Sequence, residues 1–421
     1  MSDWLAQVID RADAVANAQK DELASLRQNA LAELKQQQWP TRRTEAWRYT
    51  SLHPLEDMTL PALSQDVPAV PEIDGVDSLD FVFVNGKLQG DMPKLPKGVS
   101  VGGLTDSAMQ AAATEVFGTV KPRTHLFGLV NDVLATDGLV IDVAAGAKIS
   151  QPLRILNFVS AGSETHHRVL VRIGDEASVS VIEHGAGSGA SVNTAFAEYA
   201  LGAKARLEHY RFALHGGDAI HIGGAHFSLG TEARLNSTLV GYGSQLSRLD
   251  YDVIHAGQHA NAKLNAVYLL APREHFDLHT NIEHAVPNGT TEENARGIIG
   301  DRARAVFNGR IHIHRDAQKT LAELNNRNLL LSRGGTISTK PELEIYADDV
   351  QCAHGATVAE IDDKALYYML SRGIKREQAL VMLNFGFIQE LVAQMPNKAL
   401  AKWLEPQLRD RFMLMDVRNG S

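Results

Sequence analysis

Cys352 and His354 stand two residues apart in the run Glu344-Ile-Tyr-Ala-Asp-Asp-Val-Gln-Cys-Ala-His-Gly-Ala-Thr357. Alternate side chains of a strand share a face, so a thiol and an imidazole would point the same way just before Gly355 turns the chain toward the C-terminal helices. Such a pair is half of a metal site. Zinc and iron-sulfur clusters take about four ligands of this kind, so the pair calls for a second chain or for a transient, incomplete coordination. Cys352 is the only cysteine, which excludes an intrachain disulfide, a Cys-x-x-Cys redox pair and an all-thiolate site built from one chain. The competing reading from spacing alone is a structural cysteine beside a histidine that caps the turn.

Other chemistry is weaker or missing. His312 and His314 alternate, so both rings share one strand face, which fits a ligand pair but is more often a solvated surface; His255 with His259 and His275 with His279 carry less. Asp348-Asp349 reads as a surface turn. No Gly-x-x-x-x-Gly-Lys-[Ser/Thr] occurs, and Gly185-Ala-Gly-Ser-Gly189 runs into Ser-Val-Asn-Thr rather than a helix whose amides could cradle phosphate. There is neither a Gly-x-Ser-x-Gly elbow nor a His-Glu-x-x-His helix, so ATPase, serine hydrolase and zinc protease readings lose their signatures.

The elements that would hold the Cys-x-His pair are strands. Between about Leu139 and Glu344 short alternating runs such as Val169-Leu-Val-Arg-Ile173 are separated by Gly, Asn and Asp. Gly-x-x-Ala recurs at Gly174, Gly202, Gly230, Gly257 and Gly300; the first four are 28, 28 and 27 residues apart. A fixed period of that size, with small residues where each coil folds back, predicts a β-solenoid, whereas a sandwich needs no such period. The 43 residues from Gly257 to Gly300 then suggest one degenerate coil with an insertion around Pro287-Asn-Gly289. Apolar spacing at Leu5, Val8, Ile9, Ala12, Val15 and Ala16, resuming at Leu23, predicts a once-broken N-terminal helix ending near Trp39-Pro40. A connector with Pro54, Pro61, Pro68 and Pro71 follows. Beyond Thr357 three helices are expected, the first ending at Gly373, the second over 375–396 and the third over 399–415. The fold class is therefore mainly β, a right-handed parallel β-helix core flanked by helical segments. Its divisions are an N-terminal helical segment over 1–60, a connector and small mixed region over 61–135, the β-helix over 136–357 and a helical domain over 358–421.

Composition narrows the partners. The 421 residues exceed the ~150 of a common domain, and 44% apolar against 22% charged residues describes a globular chain rather than a disordered one. With 41 basic and 50 acidic residues the net charge is −9, which argues against nucleic acid or an anionic membrane as the main partner. No 18-residue apolar run and no leader-like start is present, so a cytoplasmic protein is expected.

The run from Lys340 to Thr357, together with Ser371-Arg-Gly-Ile374, Ala303-Arg-Ala-Val-Phe-Asn-Gly309 and Pro40-Thr-Arg-Arg-Thr-Glu-Ala-Trp-Arg-Tyr-Thr50, resembles the SufB/SufD family of iron-sulfur cluster assembly scaffolds. The resemblance spans essentially the whole chain, least over 62–121. Its length and the Cys-x-His motif, in place of an acidic-His-acidic cluster, put it on the SufD side. The resemblance implies a parallel β-helix with helical ends and a non-enzymatic scaffold. It also implies pairing with a SufB-like subunit, and a SufC-like ATPase docked on the C-terminal helices, roughly 363–395. Cys352 and especially His354 would contribute to a transient iron-sulfur cluster or iron shared with the partner, in support of iron acquisition. A reduced flavin in the full complex is compatible with it, without residues to assign. A homodimer of the isolated chain stays open. The alternatives are a β-helix carbohydrate-active enzyme, which would need converging carboxylates that the sequence does not display, and a homomeric structural β-solenoid.

Overall fold

The computed structural model describes residues 2–18, 20, 22–66, 69–122 and 125–415; Pro68 of the proline-rich connector lies outside them. The N-terminal amphipathic run forms α1 (Asp3–Ala18) and α2 (Ala24–Leu34), and α1 buries Leu5, Val8, Ala12 and Ala16 along one face. Pro54 occupies the first turn of the short α3 (His53–Glu56), where a missing N–H costs nothing. The span 61–135, expected as a connector and small mixed region, holds both strands and helices. It contributes β1 (Leu79–Val84), β2 (Lys87–Gln89), β3 (Val99–Gly103), α4 (Gln110–Val116) and α5 (Leu126–Leu134).

Sixteen further strands build the solenoid: β4 (Gly138–Val143), β5 (Leu153–Phe158), β6 (Glu164–Ile173), β7 (Ser178–Ser188), β8 (Ser191–Leu201), β9 (Arg206–Gly216), β10 (Ala219–Leu229), β11 (Arg234–Tyr242), β12 (Leu246–His255), β13 (Asn261–Leu270), β14 (His275–His284), β15 (Thr290–Ile299), β16 (Arg304–Ile313), β17 (Leu321–Leu330), β18 (Thr336–Ile345) and β19 (Gln351–Glu360). The odd-numbered strands with β2 stack into one sheet and the even-numbered ones with β3 into the other. The strand pairings among β4 to β19 are parallel, giving about eight coils. Inward side chains such as Val181, Leu207, Leu235 and Ala262 from one sheet meet Tyr199, Phe227, Leu249 and Leu278 from the other in one continuous core.

The counted repeat has a physical basis at the turns. Ala177, Ala205, Ala233, Ala260 and Ala303 are fully buried. The residue before each, Glu176, Lys204, Glu232, His259 and Arg302, is left-handed with φ between 56° and 59°. That conformation is unfavourable for a side-chain-bearing residue, and it persists because its N–H bonds to the next coil, as in Glu176 N to Ala203 O at 2.7 Å and Lys204 N to Thr231 O at 2.7 Å. The glycines answer a different need, close approach: a Cβ on Gly257 would lie 2.0 Å from the Thr231 nitrogen.

Two expectations require correction. The 43 residues from Gly257 to Gly300 are not one degenerate coil with an insertion. The turn equivalent to Gly257-Gln-His-Ala260 is Val286-Pro-Asn-Gly289, with Asn288 in the left-handed position, and the next places Lys319 there. Gly300 instead follows β15 and so lies at the opposite edge of the flattened coil, one and a half coils on. The motif was lost there while the backbone conformation was kept. The C-terminal region also differs, with four helices among the described residues in place of three: α6 (Asp363–Ser371), α7 (Arg376–Asn384), α8 (Gly386–Ala393) and α9 (Lys398–Leu414). The expected second helix breaks at Phe385-Gly386. Gly373, at φ 80°, does terminate the first.

Among the described residues neither helical region caps a solenoid end. Leu380, Ile388, Leu391, Leu404 and Phe412 pack on the outer face of the odd-numbered sheet, against Tyr210, Phe212, Val240, Val267 and Ile298. Leu5, Val8, Phe127 and Val130 cover Val192, Phe196, Ile220 and Ile222 of the other sheet. The helices therefore clothe the two broad faces, and the last coil is left open.

Candidate functional site at the open end

β18 and β19 each end their sheet, with a neighbour on one side only. Cys352 pairs in register with Ala322 and His354 with Leu324. Both of those β17 residues are fully buried and face the core, so Cys352 and His354 also face inward, at the mouth of the solenoid, where among the described residues no further coil covers them. Cys352 is half-buried against the core while His354 is exposed. Burial pushes the thiol pKa up, partly opposed by a hydrogen bond with the backbone of Ala322. The resting group is a protonated thiol, and binding a metal through sulfur must release that proton. Gly355 is not a turn, because β19 continues to Glu360. Among the described residues His354 has no hydrogen-bond partner and caps nothing; Asp362 is the residue that caps α6, accepting from the Lys364 and Ala365 amides at 3.0 Å each.

The opposite lip is β18, whose Ile337, Thr339, Leu343 and Ile345 stand in register with the inward Ala305, Phe307, Ile311 and Ile313 of β16. The mouth is thus largely apolar, with exposed Ile345 and Val358 at its rim. Thr339 ties it to a buried polar ladder, donating to Asn326 Oδ1 at 2.9 Å, with Asn326 and Asn328 joined to the Tyr268 hydroxyl. Among the described residues no three His, Cys, Asp or Glu side chains converge to hold a metal ion. Cys352 and His354 remain two ligands of an incomplete set.

The other histidine pairs are drawn into different roles. His312 and His314 share the outer face, as alternation predicts, and pair with Glu344 at 2.8 Å and Glu283 at 2.5 Å. Arg310 and His312 hold the Glu344 carboxyl pKa down at about 2. His255 turns inward to stack on His284, whereas His259 sits in a turn. His275 contacts Thr50 and His279 contacts Asp277. The Asp348-Asp349 doublet lies in the β18–β19 connection.

Sequence reasoning missed two constellations. In the core, Glu183 accepts from Arg211 at 2.8 Å, Tyr199 at 2.8 Å and His209 at 2.9 Å. Burial alone would raise this carboxyl, but the guanidinium and the two hydrogen bonds hold it well below the usual carboxylate range. The available signal was charge at inward positions of alternating strands. On the outer face, the Pro40–Thr50 motif is pinned across the even-numbered sheet. Trp47 lies over the Arg248 guanidinium at 4.0 Å, Thr50 donates to Asp277 at 2.6 Å, and Glu45 reaches Lys340 of β18 at 2.6 Å.

A family model described as the SUF system FeS cluster assembly SufBD core domain matches residues 157–387, and one for the SufBD N-terminal region matches 4–155. The chain belongs to the SufBD family. Its SufBD relatives include the iron-sulfur cluster assembly protein SufD of Escherichia coli, 28% identical over 91% of this chain and 92% of that protein. A SufBD family iron-sulfur cluster assembly protein of Synechocystis is 28% identical over 92% and 90%. Bacillus subtilis SufB matches less of the chain, 24% identical over 66% of it and 60% of its own length. The chain is thus a SufBD-family iron-sulfur cluster assembly protein, SufD-like in its full-length matches. Among the described residues no helix is long and apolar enough to cross a membrane.

Proposed function

We propose that this chain is the SufD-like subunit of an iron-sulfur assembly complex. It pairs through its open solenoid end with a SufB-like chain, and it lends His354 and Cys352 to iron or a nascent cluster held across the junction. The observation that carries this reading is the uncapped last coil with an incomplete two-ligand set at its mouth. Unpaired strand edges and an apolar rim are a liability that a partner of like fold removes, and the same partner can supply the ligands that this chain lacks. The chain acts as a scaffold and makes or breaks no bond itself. Iron or cluster is cargo, and a reduced flavin, if the complex carries one, is not assigned to residues of this chain.

A SufC-like ATPase docks on α6 and α7. Tyr367 is 75% exposed and Met382 66%, with Tyr368, Leu370 and Leu383 also uncovered, and exposed aromatic and Met side chains grouped in this way suit an interface. Removing the helices from Lys375 onward would strip the apolar face of the odd-numbered sheet, so surface substitutions are the appropriate probes. Outward Glu342 and Glu344 are committed to Asn308 and Arg310, which makes rim residues better tests of pairing. Co-expression with the SufB-like and SufC-like chains of the same cell should yield one complex, and Ile345→Lys with Val358→Lys should abolish pairing with the SufB-like chain while ATPase binding persists. Normal pairing by a folded double variant would place the junction elsewhere.

A further inference from the structure

Well away from the open end, strands β5 to β10 line a cavity inside the solenoid, with Asn157, His167, Gly185, Arg211, His215 and His221 among the lining residues. Gly185 makes the room: a Cβ there would stand 2.7 Å from His215 Cε1. The His215 and His221 rings stack with centroids 4.0 Å apart. Six polar atoms of its inward-facing side chains have no hydrogen-bond partner among the described residues: both ring nitrogens of His167 and of His215, Nε2 of His221 and Oδ1 of Asn157; Nδ1 of His184 is also unpartnered, but that ring packs on the outer face against Phe212 and Trp403. Their residues are only 1–5% exposed. Buried polar atoms are satisfied almost without exception, so this many orphans around one cavity point to a ligand.

The chemistry of that ligand follows from the protonation states. Burial drives the imidazoles neutral, His167 to about 4 and His215 to about 3, and His221 well below its ordinary value. Thr165 donates to Asn193 Oδ1 at 2.9 Å, which turns the Asn193 amide nitrogen toward His221 Nδ1 at 2.9 Å. Nδ1 therefore accepts, and the proton of His221 sits on Nε2, facing the cavity. His167 and His215 each offer one N–H and one lone pair, and Asn157 offers an acceptor. The wall presents three donors and three acceptors with no free charge, since Arg211 is spent on Glu183 at 2.8 Å and the Ala195 carbonyl at 2.9 Å. An anion would lack a counter-charge. A metal ion would lack a converging ligand set among the described residues. A small neutral molecule that both donates and accepts fits, and the cavity offers about 20 Å³ for it, above the ~10–15 Å³ that one water requires.

We propose that this histidine cage is a specific internal water site, in which at least one long-lived water bridges His167, His215, His221 and Asn157. The bound water sits beside the Glu183–Arg211 pair and gives up to four of these atoms a partner while burial keeps the imidazoles neutral.

Water-nuclear magnetic relaxation dispersion on the full chain counts long-lived internal waters. The His215→Phe variant should hold at least one fewer than the wild type, and Cys352→Ser, outside the cage, the same number. If His215→Phe does not fold, Asn157→Leu makes the same comparison. A crystal structure at a resolution that reveals ordered solvent should place density within hydrogen-bond distance of at least two of the six atoms. Equal water counts in the wild type and the cage variant, an empty cage, or an anomalous signal from a metal there would overturn the proposal.

Discussion

Replacing Arg211 by Met tests how the solenoid tolerates charge in its core. Arg211 is 4% exposed and Glu183 8%. The guanidinium donates to Glu183 and to the Gly224 and Ala195 carbonyls, while its carboxylate partner also holds Tyr199 and His209. Breaking a buried pair from one side leaves an uncompensated charge and costs about 3–5 kcal/mol, a large share of the ~5–15 kcal/mol that keeps a domain folded. The pH dependence separates charge from volume. In the wild type Glu183 has a depressed pKa, so its contribution is present above the unfolded value of ~4.3 and is lost only as pH falls through the lower folded value. In Arg211→Met the buried carboxyl loses its cation, its pKa rises above the unfolded value, and protonation relieves the strain. The stability gap between the two proteins should therefore be widest near neutrality and should narrow on acidification. Urea unfolding followed by circular dichroism between neutral pH and pH ~4 reads both slopes. A gap under about 1 kcal/mol, the size of an ordinary substitution, or one that does not change with pH, would refute the electrostatic argument and leave only lost packing.

Gly257→Ala drives a methyl into the Thr231 backbone at 2.0 Å and should cost about 1–3 kcal/mol or more, whereas at Gly355 the nearest atom to an added Cβ is 3.5 Å away and the change should be tolerated; thermal melts of the two variants compare them. Burial lowers His167 and His184 to about 4 and His215 to about 3, so below ~6.5 the unfolded chain binds more protons than the folded one; stability should be full above that pH and fall as it is lowered, and urea midpoints that rise on acidification would contradict this. Tyr367→Ser with Met382→Ser should weaken binding of the SufC-like ATPase at least tenfold, read by calorimetry, with the melting temperature of the free chain unchanged.

The repeat was legible because it is written in residues that the turn geometry requires: a glycine where coils touch and an alanine that points into the core. It became illegible beyond Gly257, where Asn288 and Lys319 keep the left-handed turn without the letters, and Gly300 then appeared to continue a series to which it does not belong. The strand placing Cys352 and His354 on one side was readable from alternation, but the side was not, since facing inward depends on register with Ala322 and Leu324. Alternation also showed that His312 and His314 share a face without showing their carboxylate partners, which come from neighbouring coils some thirty residues away. The helices were visible from their apolar spacing. That they cover the broad faces and leave the end open was not, because an apolar stripe records that something is covered and not what.

The central claim is that His354, at the open end, is a ligand for cargo rather than part of the fold. The most direct measurement is the iron and acid-labile sulfide content of the complex purified with its SufB-like and SufC-like partners, comparing wild type, His354→Ala and Cys352→Ser. His354 has no hydrogen-bond partner among the described residues of the chain, so its loss should leave assembly intact and lower iron and sulfide together, with a smaller loss for Cys352→Ser, whose raised thiol pKa makes it the less ready ligand at neutral pH. Full loading of a correctly assembled His354→Ala complex would contradict the account.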